Sequence, residues 1–457
     1  MEEIKRVEPR TLSGFMELLP QDQIKFNEML QTIRKTYELY GFLPQETPII
    51  ESSEVLLAKA GGETEKQIYS FKKGDKDLSL RFDLTVPLAK YVAQYYNELT
   101  FPYRRYQIGK VFRGERAQKG RYREFYQCDI DIIGDGKLSI INDAEIPSII
   151  YTTFKNLGFS NFVIKINNRK ILNGLFDELE ISDKMTEILI IIDKLEKIGI
   201  DAVKDELRKI DVSEENIEKI EEFLNIDGTT DEKIIKLKDL NFSSEIFKNG
   251  LDELEEVIKY VRLFKVDEEN FMVDLTIARG LDYYTGTVYE TNLKGYESIG
   301  SVCSGGRYEN LAGYYTKKNL PGVGISIGLT RLFYNLKELG LLKTKEKSIS
   351  KVDIITMGVG VENAVEISNI LRDNNIPNEI YKEDSKTKAK FSYANNLEIP
   401  YVIIIGEEEI EKKADLDHTH IAYVNINDSL RDSDVEDLIS VFKGIKTVEE
   451  VIKSSKY

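Results

Sequence analysis

The 457-residue sequence contains no tryptophan, two cysteines and two histidines, and these scarcities exclude several kinds of site. Cys128 and Cys303 lie far apart, without a CxxC pair or a neighbouring histidine. They therefore form neither a disulfide framework nor a zinc site, and such cysteine usage is typical of a reducing cytoplasm. The histidines are His418 and His420, so no earlier residue can supply an imidazole as a catalytic base.

Long hydrophobic runs are also missing. One of the longest, residues 188–192, has five residues, far too few to span a membrane. The first ten residues, MEEIKRVEPR, lack the apolar core of a signal peptide. With 41% hydrophobic and 31% charged residues, the sequence predicts a soluble globular protein of two or three domains with no membrane partner. Its net charge of −16 argues against a protein that coats nucleic acid nonspecifically.

One segment departs from this acidic background. Residues 101–123 contain eight basic residues and one acidic residue, Glu115, which gives a local charge of +7. A solvated surface is the simplest explanation of a charge cluster. Arginine outnumbers lysine here, however, and Gln127, Asp129 and Asp131 follow at once. This combination favours a site at which planar guanidinium groups bind anions in bidentate fashion.

The order of predicted elements divides the chain into three parts. Residues 24–40 have helical periodicity, "FLPQETPII" is extended, and residues 86–95 are helical. "YRRYQIGKVF" and "REFYQCDIDII" read as long antiparallel strands joined by the arginine-rich loop. From Ser182 to about Phe264 the sequence is rich in Lys, Glu, Ile and Leu at helical spacing, which indicates an inserted helical domain. After a charged linker, strand and helix patterns alternate, as in a small α/β domain with a mainly parallel sheet.

No standard nucleotide-binding loop is present, because both GxxxxGK[ST] and a strand-linked GxGxxG are missing. Instead, "FRGERAQKGRYREFYQCDID" resembles motif 2 and "GVGISIGLTRL" resembles motif 3 of class II aminoacyl-tRNA synthetases. "LTIARGLDYYTGTVYE" and "SVCSGGRYENL" are similar to the two blocks that distinguish histidyl-tRNA synthetases within that class. "LRFDLTVPLAKY" resembles the segment of that family that surrounds the amino acid. These five motifs occur in the family's order along essentially the whole chain.

The resemblance implies a fold and a domain layout. The expected fold is an α+β catalytic domain built on an antiparallel sheet, with a helical insertion and a C-terminal α/β anticodon-binding domain. The expected boundaries are residues 1–181 and 265–335 for the catalytic domain, 182–264 for the insertion and 351–457 for the anticodon-binding domain. The expected reaction is ATP-dependent activation of L-histidine to histidyl-adenylate, followed by transfer of histidine to the 3′ end of tRNA(His).

The resemblance also assigns residues to roles. Arg279 and Arg113 are the expected catalytic pair, since both place positive charge on the reacting carboxylate and α-phosphate. The residues expected to bind histidine are Asp83, Thr85, Arg113, Gln127, Asp131, Arg279, Tyr283, Tyr284 and Tyr308. The residues expected to bind ATP are Arg113, Glu115, Arg121 and Arg331. Gln118 and Lys119, at the loop tip, are expected to contact the tRNA acceptor stem.

Further expectations concern cofactors and assembly. ATP enters as a substrate with Mg²⁺, no structural metal is bound, and the protein is a cytoplasmic homodimer whose interface includes the helix of residues 24–40. The sequence departs from the family at Thr330, where motif 3 usually has a glutamate that supports the following arginine, here Arg331. It departs again in "KKADLDHTHIAYVNINDS", in the domain expected to contact the anticodon.

Each of these residues has a simpler explanation when taken alone. Asp83 and Thr85 would cap a helix, and Tyr283 and Tyr284 would be core aromatics. The alternative function is that of a non-catalytic, histidyl-synthetase-like regulatory subunit of ATP phosphoribosyltransferase. Such paralogues lack the catalytic arginine block and the terminal domain, and this sequence contains both. A third possibility, an RNA-binding scaffold, requires no histidine pocket.

Overall fold

The computed structural model describes residues 6–58, 63–116, 120–277, 284–342, 347–407 and 422–425. The chain forms two compact units. The first contains Met1–Glu17 and Met29–Leu342, and the second contains Leu18–Glu28 and Lys343–Tyr457. No helix in the described ranges is both long enough and apolar enough to cross a membrane.

The strands and helices up to residue 342 alternate irregularly along the chain. The strands are β1 (Leu43–Pro44), β2 (Ile50–Ser52), β3 (Ser70–Lys73), β4 (Lys76–Leu80), β5 (Tyr103–Phe112), β6 (Glu124–Ile133), β7 (Phe162–Asn168), β8 (Phe271–Val273), β9 (Thr287–Leu293), β10 (Cys303–Tyr308) and β11 (Gly322–Gly328). The helices are α1 (Pro20–Leu39), α2 (Ser53–Leu57), α3 (Glu63–Gln67), α4 (Thr85–Gln94), α5 (Ile141–Asn156), α6 (Arg169–Glu178), α7 (Met185–Ile192), α8 (Leu195–Lys209), α9 (Glu214–Leu224), α10 (Thr230–Asp239), α11 (Glu245–Leu263) and α12 (Leu329–Glu338).

A large, mainly antiparallel sheet organises the first unit. Its described strands lie in the order β1-β5-β6-β11-β10-β9-β7-β8. All neighbours are antiparallel except the outermost pairs, β1 with β5 and β7 with β8, which are parallel. β2, β4 and β3 form a separate antiparallel sheet. The predicted antiparallel sheet is therefore confirmed.

The longest strand pair is the one that the sequence predicted. β5 and β6 have ten residues each and pair along their whole length, from Tyr103 opposite Ile133 to Phe112 opposite Glu124. The predicted helix of residues 24–40 begins four residues earlier, at Pro20. Proline is favoured in the first turn of a helix, because N–H groups there have no partner within the helix and proline has no N–H to leave unpaired.

A buried ion pair attaches helix α5 to the sheet. Arg307 on β10 donates from Nη2 and Nε to the carboxylate of Asp143, at 2.8 and 2.9 Å. Thr287 on β9 donates its hydroxyl to the same carboxylate at 2.7 Å. Asp143 is fully buried, and the paired guanidinium satisfies a charge that burial alone would penalise. The network fixes strands β9 and β10 against helix α5.

The predicted helical segment is indeed helical. A short 3₁₀ turn and helices α7 to α11 occupy it. α11 also packs closely against α6, and glycines allow the approach: a Cβ at Gly174 would lie 2.4 Å from the backbone nitrogen of Phe247. Lys233 on α10 donates to the carbonyl of Val273 on β8 at 2.9 Å. These contacts join the helical segment to the sheet, and its boundaries as a separate domain stay a prediction.

The second unit contains a small sheet with helices beside it. Its described elements after residue 346 are β12 (Val352–Thr356), α13 (Glu362–Asp373), β13 (Asn378–Tyr381), α14 (Thr387–Asn396), β14 (Tyr401–Ile405) and β15 (Ala422–Asn425). The strand order is β13-β12-β14-β15, in which only the β14–β15 pair is antiparallel. The predicted strand and helix alternation and the mainly parallel sheet are confirmed.

Candidate active site

Four neighbouring strands of the large sheet carry one row of polar residues. Asp129 on β6 pairs with Ser326 on β11, and Ser326 pairs with Ser304 on β10. Ser304 in turn pairs with Glu290 on β9. Cross-strand partners point to the same face of a sheet, so these side chains lie side by side. The row forms a polar floor across the middle of the sheet.

A cavity of about 280 Å³, here called the inner cavity, lies over this floor. The predicted histidine-binding residues that line it are Asp83, Thr85, Arg113, Gln127, Asp131, Tyr284 and Tyr308. They come from widely separated parts of the sequence, and the fold brings them together around one space. The four residues of the floor also line it, and the sequence did not single them out as site residues except for noting the position of Asp129.

A second cavity, here called the outer cavity, has a volume of about 270 Å³. All four predicted ATP-binding residues line it, namely Arg113, Glu115, Arg121 and Arg331. The two cavities have lining residues in common: Arg113, Gln127, Ser304 and Ser326. They are therefore adjacent, and a ligand in one can touch a ligand in the other.

Arg113 lies at the junction of the two cavities. Its guanidinium carbon lies 4.3 Å from the centre of the Phe82 ring and 5.1 Å from that of the Phe125 ring. Its Nε donates to the carbonyl of Phe82 at 3.2 Å. Flanking aromatic rings and a backbone contact limit the rotamers of a long side chain, so the charge is held in place.

Asp83 has two functions in this structure. Its Oδ1 accepts hydrogen bonds from the backbone N–H groups of Thr85 at 3.1 Å and Val86 at 2.9 Å, which caps helix α4. The carboxylate also lines the inner cavity. Burial raises its pKa, against the opposing effect of these N–H groups and of Arg113. The simpler explanation of Asp83 as a cap is thus correct, and it accounts for how the carboxylate is positioned.

Asp131 lines the inner cavity as part of a buried network. Its Oδ2 lies 2.6 Å from Nη2 of Arg105, which is completely buried. Its Oδ1 accepts a hydrogen bond from the hydroxyl of Tyr308 at 3.0 Å. Burial raises the pKa of Asp131 to about 6, although Arg105 and Tyr308 oppose the shift. A Cβ at Gly324 would lie 2.3 Å from Oδ1, so glycine is needed at this position.

The outer cavity is bordered by charged and aromatic groups. Arg121 lies 4.0 Å from the carboxylate of Glu115, and Phe125, also in the motif 2 segment, lines the cavity. Arg331, on helix α12, donates from Nη2 to the carbonyl of Ile299. The combination of two guanidinium groups with an aromatic ring suits a nucleotide, whose phosphates and base need different partners.

Thr330 has a role that the sequence did not indicate. It is 2% exposed, and its hydroxyl accepts a hydrogen bond from the backbone N–H of Tyr126 at 2.8 Å. This bond ties the start of α12 to strand β6. Threonine therefore stabilises the helix that carries Arg331 by a contact to the sheet, at the position where the family usually has glutamate.

The basic segment is less charged at its surface than the count of residues suggested. Arg104 pairs with Glu145 at 2.8 Å, Arg105 with Asp131, and Lys110 with Glu124 at 2.7 Å. Three of its eight cations are thus neutralised by carboxylates elsewhere in the fold. The segment therefore presents less than its full charge of +7 to anions, because strand register places those carboxylates beside the strand residues.

Four predicted site residues lie outside the described residues: Gln118, Lys119, Arg279 and Tyr283. Their roles stay predictions. Among the described residues, no group of three or more His, Cys, Asp or Glu side chains is placed to hold a metal ion.

The large, mainly antiparallel sheet with its helices is that of the catalytic domain of a class II aminoacyl-tRNA synthetase. Residues 14–332 match the family model described as histidyl-tRNA synthetase, and residues 351–419 match the model described as anticodon binding domain. The chain belongs to the histidyl-tRNA synthetase family.

Individual relatives agree with this assignment. The chain is 59% identical over 408 residues to the histidine–tRNA ligase of Clostridium tetani. The alignment covers 89% of this chain and 93% of that protein. It is 49% identical over 409 residues to the ligase of Clostridium acetobutylicum, covering 89% and 95%. The crystal structure of histidyl-tRNA synthetase from Nostoc sp. PCC 7120 superposes with a TM-score of 0.84 at 41% identity, covering 95% of this chain and 99% of that one.

A structure from Bacillus halodurans, described as an ATP phosphoribosyltransferase regulatory subunit/histidyl-tRNA synthetase, gives a TM-score of 0.72. At 22% identity it shares the fold and carries no argument about activity. The relatives that are 59% and 49% identical are both histidine–tRNA ligases, so the regulatory alternative is not favoured.

Proposed function

We propose that this protein is a histidine–tRNA ligase that activates L-histidine with ATP in the two adjacent cavities and then charges tRNA(His). The observation that supports this most is the position of Arg113, which borders both the inner and the outer cavity. Two substrates that react with each other must meet at one point, and a fixed positive charge belongs there.

In the first step, a carboxylate oxygen of histidine attacks the α-phosphorus of ATP. The bond from that phosphorus to the bridging oxygen breaks, and pyrophosphate leaves with the electron pair. No enzyme base is required, because the carboxylate is already ionised. Arg113 and Arg279 stabilise the negative charge that accumulates on the α-phosphate oxygens. In the second step, a ribose hydroxyl of the terminal nucleotide attacks the activated carbonyl. The bond from the carbonyl carbon to the phosphate oxygen breaks, AMP leaves with the electron pair, and the hydroxyl proton passes to a phosphate oxygen of the departing AMP.

The inner cavity selects histidine through hydrogen bonds. Asp83 and Thr85 receive the α-amino group, while Asp131, Tyr284 and Tyr308 face the imidazole. A buried polar group without its partner costs free energy, so an amino acid that lacks a ring N–H is rejected. Discrimination of roughly 10⁴–10⁵ can follow without an editing site.

The outer cavity binds ATP, which enters with Mg²⁺ as part of the substrate. Glu115 contacts the adenine amino group, and Arg121 and Arg331 hold the outer phosphates or pack on adenine. We propose that the protein has no structural metal. Gln118 and Lys119 contact the acceptor stem, and residues 351–457 bind the anticodon.

We further propose that the protein is a cytoplasmic homodimer. The end of helix α1 and the segment after it support this, because four apolar residues there are between 42% and 75% exposed: Leu39, Leu43, Ile49 and Ile50. A cluster of exposed apolar side chains in one segment favours contact with another protein surface.

Charging of a tRNA(His) transcript with labelled histidine tests the proposal. We expect charging that requires ATP and that is much weaker with a transcript of another identity. A folded protein that binds histidine but transfers none to tRNA(His) would support the regulatory alternative instead.

A further inference from the structure

Asp129 has no assigned role, yet it lies in the middle of the inner cavity. It is 3% exposed, and its Oδ1 is buried without a hydrogen-bond partner among the described residues. The carboxylate of Asp129 also accepts a hydrogen bond from the hydroxyl of Ser326. The Oγ of Ser326 in turn accepts a hydrogen bond from Nε2 of Gln127 at 2.7 Å. Because Gln127 donates to Ser326, the serine hydroxyl proton is directed at Asp129. The side chain is therefore held in place while one oxygen still lacks a donor.

Charge balance within the inner cavity singles out the same residue. Four carboxylates line it, those of Asp83, Asp129, Asp131 and Glu290, and Glu290 interacts with other groups of the protein. Asp131 pairs with Arg105, and Asp83 is opposed by Arg113 and two backbone N–H groups. Asp129 has no ion pair of its own among the described residues, although the charge of Arg105 acts on it. A ligand that brings a cation to Asp129 satisfies the remaining charge.

The spacing along strand β6 indicates which cation this is. Gln127, Asp129 and Asp131 line the inner cavity at successive intervals of roughly 6.6 Å, the two-residue repeat of a strand. Gln127 also borders the outer cavity, where ATP is proposed to bind, and Asp131 lies at the opposite end beside Tyr308. The carboxylate of histidine must face ATP in order to react, and its ring then lies near Asp131. The α-carbon, with its ammonium group, falls between them.

We propose that Asp129 is a further substrate-binding residue, which together with Asp83 pairs with the α-ammonium group of the bound amino acid. This inference rests on the proposed function, because it takes histidine as the ligand of the inner cavity. Asp129 then accepts an N–H of the ammonium on Oδ1, while Asp83 and Thr85 contact the others. The substrate cation thus replaces the counter-charge that the fold does not provide.

The experiment compares the wild type with Asp129→Asn, which removes the charge and keeps the shape. Histidine-dependent exchange of pyrophosphate into ATP is measured with two inhibitors. Histidinol keeps the ammonium and the ring, whereas imidazolepropionate keeps the ring and the carboxylate but has no ammonium. We expect the variant to raise the KM for histidine and the Ki of histidinol by roughly 10- to 100-fold, the range for a charged hydrogen bond. The Ki of imidazolepropionate and the KM for ATP should change less than about twofold.

The outcomes separate the possible roles. Equal weakening of both inhibitors would assign Asp129 to the ring and overturn the proposal. A KM for histidine that stays unchanged would overturn it too. Asp353→Asn is the matched control, because it also removes a buried carboxylate from a strand, here in the second unit. Burial raises the pKa of Asp353 to about 7, as it does for Asp129. Its exchange kinetics should equal those of the wild type. If the wild type shows no histidine-dependent exchange, the proposed function fails, not this assignment alone.

A pH profile provides a second readout and covers the case of a poorly folded variant. Burial raises the pKa of Asp129 to about 7, so below that pH a proton competes with the ammonium. The groups that face it are Arg105, Asp131 and Asp83, with Tyr37, Cys128 and Cys303 behind the sheet. Both inhibitors carry the imidazole ring. Dividing the Ki of imidazolepropionate by the Ki of histidinol therefore cancels the effect of ring protonation. We expect this ratio to rise with pH through about 7 in the wild type, and a ratio that stays flat would contradict the pairing.

Discussion

Arg113→Ala is expected to lower the rate of histidine-dependent pyrophosphate exchange by roughly 10³- to 10⁵-fold, the range seen when a transition-state arginine is lost. The reason is geometric. Arg113 borders both cavities and is held between the rings of Phe82 and Phe125, so its charge lies where the carboxylate meets the α-phosphate. Loss of that charge raises the energy of the transition state more than that of the bound substrates.

Arg113→Lys should remain poor, because an ammonium cannot contact carboxylate and phosphate as a planar fork does. Arg279→Ala should behave like Arg113→Ala, because the resemblance gives both arginines the same role. Arg116→Ala is the matched control: it lies three residues farther along the same loop, it is exposed, and it lines neither cavity. Near-normal exchange by Arg113→Ala, or an equally large loss in Arg116→Ala, would show that the junction is not where the chemistry occurs.

Removal of residues 351–457 is the second change with a large expected effect. Every described residue assigned to histidine or ATP lies in the first unit, so the shortened protein should keep its exchange rate within a few-fold. Charging of tRNA(His) should fall by roughly 10²- to 10⁴-fold, because the tRNA is then bound at its acceptor stem alone and the gain in affinity from binding at the anticodon as well is lost.

Two controls accompany the truncation. The truncation removes most of the second unit but leaves Leu18–Glu28, which also belongs to that unit. A thermal melt must therefore show that the shortened chain is folded. Light scattering should give a dimer for both proteins, about twice 52.5 kDa for the full chain. A folded, dimeric truncation that no longer activates histidine would refute the division of labour between the two parts. A monomeric full-length chain would refute the proposed assembly.

Local sequence patterns predicted the elements that position the site. The alternating runs that form β5 and β6 and the helical pattern of residues 86–95, which belongs to α4, all appear where expected. Such features depend on neighbouring residues, and they can therefore be seen in one sequence. The motifs also named seven residues that the fold gathers around the inner cavity.

Features that depend on strand register could not be predicted in this way. Ser304, Ser326 and Glu290 join Asp129 only because four strands pair in one alignment, and no local pattern sets that alignment. The same holds for the pairing of Arg105 with Asp131, which turned an expected surface charge into a buried one. Thr330 likewise finds its partner on a strand about two hundred residues earlier in the chain.

Exchange of labelled pyrophosphate into ATP by the full-length protein tests the central claim most directly, since it requires that an amino acid and ATP react in adjoining cavities. Each of the twenty amino acids is supplied in turn, without tRNA. The account predicts rapid exchange with L-histidine and at least about 10⁴-fold slower exchange with any other amino acid. Folded protein that gives no exchange with histidine, or equal exchange with another amino acid, would contradict it.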